Sequence, residues 1–183
     1  MDKISATQAA LLGILTIKPM SAYEIEKFSK ESIGFFWNES YGNIHKNLNM
    51  LNSKELVQII ELNSSRRLKK VYQISALGQS KLTNWIEHKP KETLIRNELL
   101  LKVFMSSEED IDVLIAHLNA EILELRNHLK VLEQIDVNVD NLPIGKFSKI
   151  LWKVTIDNGM TYCRATIDWC ERTIQTIKQY ERG

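Results

Sequence analysis

Residues 37–57 read WNESYGNIHKNLNMLNSKELV, and this stretch decides the fold. Its apolar residues recur at helical spacing on one side of the segment: Ile44, Leu48 and Leu51. The remaining positions are polar and rich in amides, and Ser40 stands where a helix N-cap is expected. From Leu56 onward the pattern alternates as in a strand. The stretch therefore predicts an amphipathic helix with a hydrogen-bonding exterior, followed directly by a β-hairpin.

Two short helices are predicted before this segment. Residues 5–17 are apolar almost all round and begin with Ser5 and Gln8 in capping-box spacing. After a break at residues 18–20, Ser21 and Glu24 repeat that spacing and open a second helix. We expect the second helix to bury three side chains: Tyr23, Ile25 and Phe28. Three short helices in about 50 residues, the third reached through a tight turn, indicate a helix-turn-helix.

A basic hairpin follows the third helix. The alternation that starts at Leu56 returns at residues 70–74 after a polar turn. The tip and the return strand carry four basic side chains: Arg66, Arg67, Lys69 and Lys70. Such a wing can lie along a phosphate backbone, and the simpler alternative is a solvated hairpin tip. Ser75 caps a fourth helix that ends near residues 87–89, and Pro90 marks a domain boundary.

The second half of the chain has a different periodicity. A helix over residues 94–104 precedes two long seams with apolar residues at steps of four and three, separated by a polar turn at 136–143. The first seam contains Ile111, Ile115, Leu118, Ile122, Leu125, Leu129 and Leu132. The second contains Trp152, Ile156, Met160, Cys163, Ile167, Cys170, Ile174 and Ile177. We expect an antiparallel helix pair that packs against its copy in a second subunit. The predicted dimer interface is Leu118, Ile122, Leu125, Leu129, Trp152, Ile156, Met160 and Ile167.

The composition fits a globular protein of one or two units, with 44% hydrophobic and 26% charged residues among 183. The net charge of +1 hides an asymmetry: residues 1–89 hold 12 basic and 8 acidic residues, and residues 90–183 hold 12 and 15. A basic front half on an acidic back half suits a nucleic-acid reader that carries a protein–protein module. No apolar run approaches the roughly 18 residues of a membrane span, and no signal-type core is present, so we expect a cytoplasmic protein with no membrane association.

Four motifs together resemble a known family. They are Phe36-Trp37-x-x-Ser40-Tyr41-Gly42-Asn43-Ile44, Tyr72-x-Ile74-Ser75-x-x-Gly78, the run Leu99–Phe104, and Ala165-x-Ile167-x-Trp169. The chain resembles PadR-like transcriptional regulators, in the subgroup with a long helical C-terminal domain. The resemblance implies a mostly α protein. Residues 1–89 would form a winged helix-turn-helix with three helices, a two-stranded wing and a fourth helix. Residues 90–183 would form an antiparallel, coiled-coil dimerisation domain.

The sequence departs from the family pattern at three positions. Ala22 stands where glycine is frequent, His45 where tyrosine is frequent, and Glu55 where glycine usually precedes Leu-Val. The first and third departures should alter turn geometry slightly. The second should affect base preference rather than the fold.

The candidate DNA-contacting residues lie on the third helix and the wing. On the helix they are Ser40, Tyr41, Asn43, His45, Lys46 and Asn47, and on the wing they are the four basic residues given above. Amides can pair bidentately with adenine, and basic or backbone groups can hold phosphate. The alternative for the helix residues is a hydrated surface. Trp37 is expected to pack in the core or at a hinge.

Other chemistry-bearing residues carry weaker signals. Trp85, Trp152 and Trp169 suggest a site for a small aromatic effector, with ordinary packing as the alternative. His88, His117 and His128 lack metal-ligand spacing. Cys163 and Cys170 lie about 10 Å apart on one helix, too far to bridge within it. Since no catalytic motif, phosphate loop or metal set occurs, we expect no enzyme activity, no cofactor and no metal.

These patterns predict a homodimeric, sequence-specific DNA-binding regulator, in the first instance a repressor of a dyad operator. An effector at the dimer interface would change the angle between the two wings and spoil the match to the half-site spacing. The alternative from another class is a protein–protein adaptor built on a winged helix. The sequence names neither the operator nor the effector.

Overall fold

The computed structural model describes residues 3–64, 67–92 and 96–180, and for residues 61–64 and 67–69 it describes the backbone. Contacts divide the chain into two compact units, Met1–Lys91 and Glu92–Gly183. The boundary predicted from Pro90 lies two residues before this division. The described residues form seven α-helices, one 3-10 turn and two strands, which gives the mostly helical, winged-helix class that was predicted.

The first unit contains four helices: α1 (Ala6–Leu15), α2 (Ala22–Ser32), α3 (Tyr41–Ser53) and α4 (Ala76–Glu87). A serine caps each one, and its hydroxyl accepts a hydrogen bond from the backbone N–H three residues later: Ser5, Ser21, Ser40 and Ser75. The capping boxes predicted at the starts of α1 and α2 are both present. These caps fix where each helix begins, since they satisfy N–H groups that have no partner inside the helix.

Helix α1 forms the centre of the first unit. It contacts α2, α3, α4 and the second strand of the hairpin, so its nearly all-round apolar surface is covered within its own domain. Ile25 of α2 is fully buried and Phe28 is partly buried against this core. The predicted burial of Tyr23 was wrong, since 67% of that residue is exposed. It lies two residues before Ile25, which places it on the far side of the helix.

The wing is the antiparallel pair β1 (Val57–Ser64) and β2 (Arg67–Ile74). The pairing runs from Val57 opposite Ile74 to Ser64 opposite Arg67, so the return strand begins three residues earlier than predicted. Met20, in the break between α1 and α2, joins the other edge of β2. Its N–H donates to the Tyr72 carbonyl at 3.1 Å, and the Tyr72 N–H donates to the Met20 carbonyl at 2.8 Å. The wing is thereby attached to the helical core.

Helix α3 ends in a Schellman motif, after which the chain enters β1. The Leu56 N–H donates to the Leu51 carbonyl at 2.9 Å, and the Glu55 N–H donates to the Asn52 carbonyl at 3.0 Å. Glu55 occupies the left-handed position of this motif with φ 58°. Glycine adopts that conformation without a Cβ penalty, so the position that departs from the family pattern also carries backbone strain.

The junction between the wing and α4 is sterically tight at Gly78. A Cβ there would lie 2.1 Å from the Leu56 carbonyl oxygen, so no larger residue fits without a backbone shift. The Ser75 N–H donates to that same carbonyl, and the Ser75 hydroxyl donates to the Glu55 carbonyl at 2.7 Å. The end of α3, the start of β1 and the start of α4 are therefore fastened at one point.

The second unit begins with α5 (Glu98–Met105) and a 3-10 turn (Glu108–Asp110), which lead into α6 (Ile111–Val139) and α7 (Lys146–Tyr180). Helices α6 and α7 are joined by a short connection and pack antiparallel. Arg126 pairs with Glu171 at 2.8 Å and Lys153 with Asp140 at 2.8 Å, which ties the hairpin at two levels. The polar turn predicted at 136–143 starts too early, because α6 continues to Val139 and buries that side chain.

The two predicted seams face each other inside one protomer. Two apolar clusters fill the space between the helices. The predicted interface residues all belong to these clusters: Leu118, Ile122, Leu125, Leu129, Trp152, Ile156, Met160 and Ile167. Leu118 has 0% of its surface exposed, so it cannot touch a second subunit. Ile122, Leu125 and Ile156 are likewise buried inside the hairpin, whereas the other four residues of the set are partly buried. The assignment of this set to a dimer interface stays a prediction. Among the described residues, no helix is long and apolar enough to cross a membrane.

Candidate nucleic-acid interface

Helix α3 presents a polar outer face to solvent. Ile44, Leu48 and Leu51 are buried on the opposite side against the core, as predicted. We call the exposed set the outer face of α3, and it consists of Tyr41, His45, Lys46, Asn49 and Met50. Ser40 is also exposed, and its hydroxyl already accepts the capping hydrogen bond from the Asn43 N–H at 3.3 Å. One side of α3 thus packs against the core, and the other side is exposed to solvent.

The two remaining predicted contacts on α3, Asn43 and Asn47, take part in an internal polar chain. The Thr7 hydroxyl of α1 donates to Glu39 Oε1 at 2.5 Å, and the Asn43 amide donates to the same carboxylate. The Asn47 amide in turn donates to the Asn43 carbonyl at 2.9 Å and to Asn43 Oδ1 at 3.0 Å. This chain links the start of α1 to the middle of α3.

Asn47 is therefore not available to read a base. Only 8% of the residue is exposed, and its amide nitrogen is occupied by both acceptors of Asn43. The placement of Asn47 among exposed residues was wrong, because its position on the helix lies next to the buried stripe. Asn43 is partly buried, with its amide committed to Glu39 and Asn47. Sequence reasoning also missed Glu39, although its position four residues before Asn43 was a usable signal.

On the outer face, three residues one turn apart form a column. The Tyr41 and His45 ring centroids lie 6.3 Å apart at an angle of 38°, and the Asn49 amide nitrogen lies 3.3 Å from His45 Nδ1. Asn49 was not among the predicted contacts, yet its spacing of four from His45 points to this arrangement. The column offers aromatic, imidazole and amide groups along one line of the helix.

The base of the wing lies close to the start of α3. Tyr72 of β2 is buried, and this burial raises the pKa of its phenol, with the neighbouring Tyr41 adding to the rise. Desolvation disfavours the charged phenolate, so this shift strengthens the neutral form that a tyrosine has at physiological pH.

The four predicted phosphate contacts of the wing lie between residues 66 and 70. Arg66 lies outside the described residues. Arg67 and Lys69 are described by their backbone in β2, opposite Ser64 and Leu62. Lys70 is exposed, and its backbone lies opposite that of Glu61 in the strand register. The assignment of these four residues to phosphate contact stays a prediction.

Comparisons with known proteins agree with this geometry. Residues 11–84 match the family described as "Transcriptional regulator PadR-like family", and residues 95–178 match the family described as "Virulence activator alpha C-term". Residues 11–84, which are 74 of the 183 residues, are thus similar to the PadR-like family of transcriptional regulators. This confirms the resemblance inferred from the four sequence motifs. The family consists of transcriptional regulators rather than enzymes.

Two relatives support the assignment at the sequence level. One is the negative transcriptional regulator PadR of Bacillus subtilis, 28% identical over 100 residues, which are 54% of this chain and 55% of that protein. The other is a probable transcriptional regulator of Mycobacterium tuberculosis, 33% identical over 78 residues, which are 42% of this chain and 41% of that protein. The alignments thus span about half or less of the relatives' lengths.

Solved structures show the same fold over almost the whole chain. Bacillus subtilis PadR in complex with operator DNA superposes with a TM-score of 0.80 at 20% identity, over 96% of this chain and 99% of that one. The Vibrio cholerae virulence activator AphA gives 0.76 at 21% identity, again over 96% and 99%. Bacillus subtilis PadR in complex with p-coumaric acid gives 0.70 at 21%, over 95% and 99%.

The three tryptophans suggested as effector contacts do not form one group within the second unit. Trp152 packs against the cluster around Leu132 and Ile156, whereas Trp169 packs against the cluster around Leu118 and Cys170. Trp85 is exposed on α4 of the first unit. Each tryptophan of α7 therefore has a packing role of its own in the hairpin.

The cysteines and histidines show no reactive arrangement in the part of the chain that is described. Cys163 and Cys170 are free and buried on the α7 seam, and burial raises the pKa of both thiols. A raised pKa disfavours the nucleophilic thiolate. His88, His117 and His128 are exposed, and no group of His, Cys, Asp or Glu that could hold a metal occurs among the described residues.

Proposed function

We propose that this PadR-like protein is a homodimeric repressor that binds a two-fold-symmetric operator through the outer face of α3. The observation that carries the proposal is the division of α3 into two sides. Its apolar side and its two internal amides are fixed to the core, while a row of exposed polar groups faces solvent. An α-helix held in this way fits the major groove, where base edges are read.

The wing and the charge distribution support the same function. The hairpin follows α3 directly and is fastened to the core through Met20 and Gly78. Its basic tip and return strand would contact phosphates beside the groove that α3 enters. The basic balance of residues 1–89 favours this over a neutral interaction surface. Such contacts position the protein on DNA without selecting the sequence.

A second face of α7 supports dimerisation. The first third of this helix exposes large apolar side chains on the side opposite the hairpin core: Phe147, Ile150, Leu151 and Val154. Of Phe147, 71% is exposed. Contiguous exposed apolar residues at helical spacing mark interaction sites in soluble proteins. We infer that this stripe, and not the α6–α7 seam, packs against a second copy of the chain.

A dimer is also what DNA recognition requires. One helix-turn-helix contacts few base pairs, and a two-fold dimer places two recognition helices in successive major grooves about 34 Å apart. The operator-bound structure of Bacillus subtilis PadR and the name of that protein as a negative regulator favour operator binding and repression here. A regulator that works on chromosomal DNA acts in the cytoplasm.

Regulation by a small aromatic molecule forms the last part of the proposal. It is favoured by the structure of Bacillus subtilis PadR with p-coumaric acid. The effector would bind one relative arrangement of the two DNA-binding units better than another, and so change the spacing of the two α3 helices.

The direct test is selection from a random duplex DNA library by the purified protein at two salt concentrations. A symmetric site should be enriched, and log K should fall by about 0.9 for each phosphate neutralised per log unit of salt. If the protein were instead a protein–protein adaptor, no sequence would be enriched at either salt concentration.

A further inference from the structure

The outer face of α3 carries one hydrogen-bonded pair of side chains, His45 and Asn49. They lie one helical turn apart, both are exposed, and Asn49 Nδ2 lies 3.3 Å from His45 Nδ1. An amide nitrogen carries two hydrogens and does not accept hydrogen bonds, so Asn49 is the donor and His45 Nδ1 the acceptor. In the neutral ring the proton is then on Nε2, on the side of the imidazole away from Asn49.

The orientation of the His45 ring is also restricted by Tyr41, on the side away from Asn49. Tyr41 lies one turn earlier, with its ring centroid 6.3 Å from that of His45. The imidazole thus stands between an aromatic ring and an amide that bonds one of its nitrogens. This arrangement fixes both the orientation of the ring and the chemical character of its outward edge, which is a hydrogen-bond donor.

We propose that His45 reads a base as a fixed donor, and that Asn49 is the positioning residue that holds it in this state. The inference rests on the proposed DNA-binding function and makes it specific. In the major groove, guanine presents two acceptors, N7 and O6, whereas cytosine presents the N4 amino donor. Adenine and thymine each present one acceptor, N7 and O4. The His45 Nε2–H therefore matches guanine best and discriminates most strongly against cytosine at one position of each half-site.

The internal chain on the other side of α3 strengthens this assignment. Because the amides of Asn43 and Asn47 are bonded to Glu39 and to each other, they do not compete for the same base pairs. The chemistry left for base recognition on α3 is that of the outer face. There, the His45 ring is held by the Asn49 amide at Nδ1, which leaves Nε2–H as the outward donor.

The test compares base preferences, position by position, for wild type, His45→Ala, Asn49→Ala and the double variant. Binding to the selected operator and to its single-base variants is measured by competition. Wild type should prefer guanine over cytosine at the His45 position by about 5-fold, the order expected for one net hydrogen bond. His45→Ala should reduce that preference to about 2-fold or less, within the same range of single hydrogen-bond effects. Asn49→Ala should reduce the preference at that same position and leave the others intact.

The double variant and a control distinguish positioning from a general effect. The double variant should discriminate no worse than His45→Ala, since Asn49 acts through His45. Asn52→Ala, in the last turn of α3, should keep the wild-type preference. An Asn49→Ala protein that weakens binding to all sequences alike, or that loses preference at a different position, overturns the inference. If the wild-type protein enriches no operator at all, the proposed DNA-binding function is wrong. The proposed base recognition by His45 is then wrong as well.

Discussion

Helix α3 and the α6–α7 hairpin are both amphipathic, but their apolar stripes are covered in different ways. On α3 the apolar stripe meets the core of its own unit, as expected, and part of the polar set turned inward. On the hairpin the apolar stripe was expected to pack within an antiparallel pair and against a second copy, and within the protomer much of it is already buried by the other arm of the same chain. The periodicity of apolar residues predicts that a stripe is buried. The tertiary packing is needed to show which element buries it.

The largest expected effect tests the hairpin side of this comparison. Leu118→Ala removes a side chain that is fully buried between α6 and α7, so we expect a loss of about 3 kcal/mol in the free energy of unfolding, measured by urea denaturation. The matched control is Leu123→Ala on the exposed side of the same helix, which should change stability by less than about 0.5 kcal/mol. Equal effects of the two changes would mean that the seam is not an internal core.

The second effect tests the inward-turned part of α3. Asn47→Ala removes the donor to both acceptors of Asn43, and we expect the free energy of unfolding to fall by about 1 to 2 kcal/mol. Asn49→Ala, exposed on the same helix, should cost less than about 0.5 kcal/mol. Thermal and urea unfolding of the two variants side by side provide the measurement. A larger loss for Asn49 than for Asn47 would reverse the assignment of the two faces.

A smaller effect of opposite sign tests the end of α3. Glu55→Gly relieves a left-handed backbone conformation and should stabilise the protein by about 1 kcal/mol in urea unfolding. Glu55→Ala is the control, because it removes the carboxylate but keeps the Cβ, and it should give little gain. Stabilisation by Ala equal to that by Gly would attribute the effect to charge instead of backbone strain.

The smallest expected effect on stability tests where the second subunit binds. Phe147→Ser with Val154→Ser changes exposed residues and should alter the free energy of protomer unfolding by less than about 0.5 kcal/mol. It should nevertheless shift the protein from dimer to monomer in sedimentation velocity. Val113→Ser, an exposed apolar residue of α6, serves as the control and should leave the dimer intact. A dimer that survives the double change would place the interface elsewhere on the chain.

Local chemistry accounts for what the sequence could predict. The serine caps and capping boxes act within four residues, so they located the starts of α1 to α4. The alternation of the strands is also a local pattern. The unusual glutamate at position 55 is a local signal too, because its strain follows from the backbone conformation that a Schellman motif requires.

Long-range packing accounts for what the sequence could not predict. The inward turn of Asn47 depends on Glu39, which is itself held by Thr7 from another helix. The exposure of Tyr23 depends on which side of α2 meets the core, and the end of α6 depends on the apolar partner that buries Val139. The α7 stripe was not found because its residues lie on the side opposite the stronger heptad pattern.

The most direct test of the account is to repeat the DNA library selection with His45→Ala and with Asn47→Ala. The account predicts that His45→Ala changes the selected sequence at one position of each half-site. It also predicts that Asn47→Ala selects the wild-type sequence with lower affinity, because Asn47 stabilises α3 through its hydrogen bonds to Asn43 on the buried side of the helix. A changed sequence for Asn47→Ala together with an unchanged one for His45→Ala would contradict the claim that the outer face of α3 reads the operator.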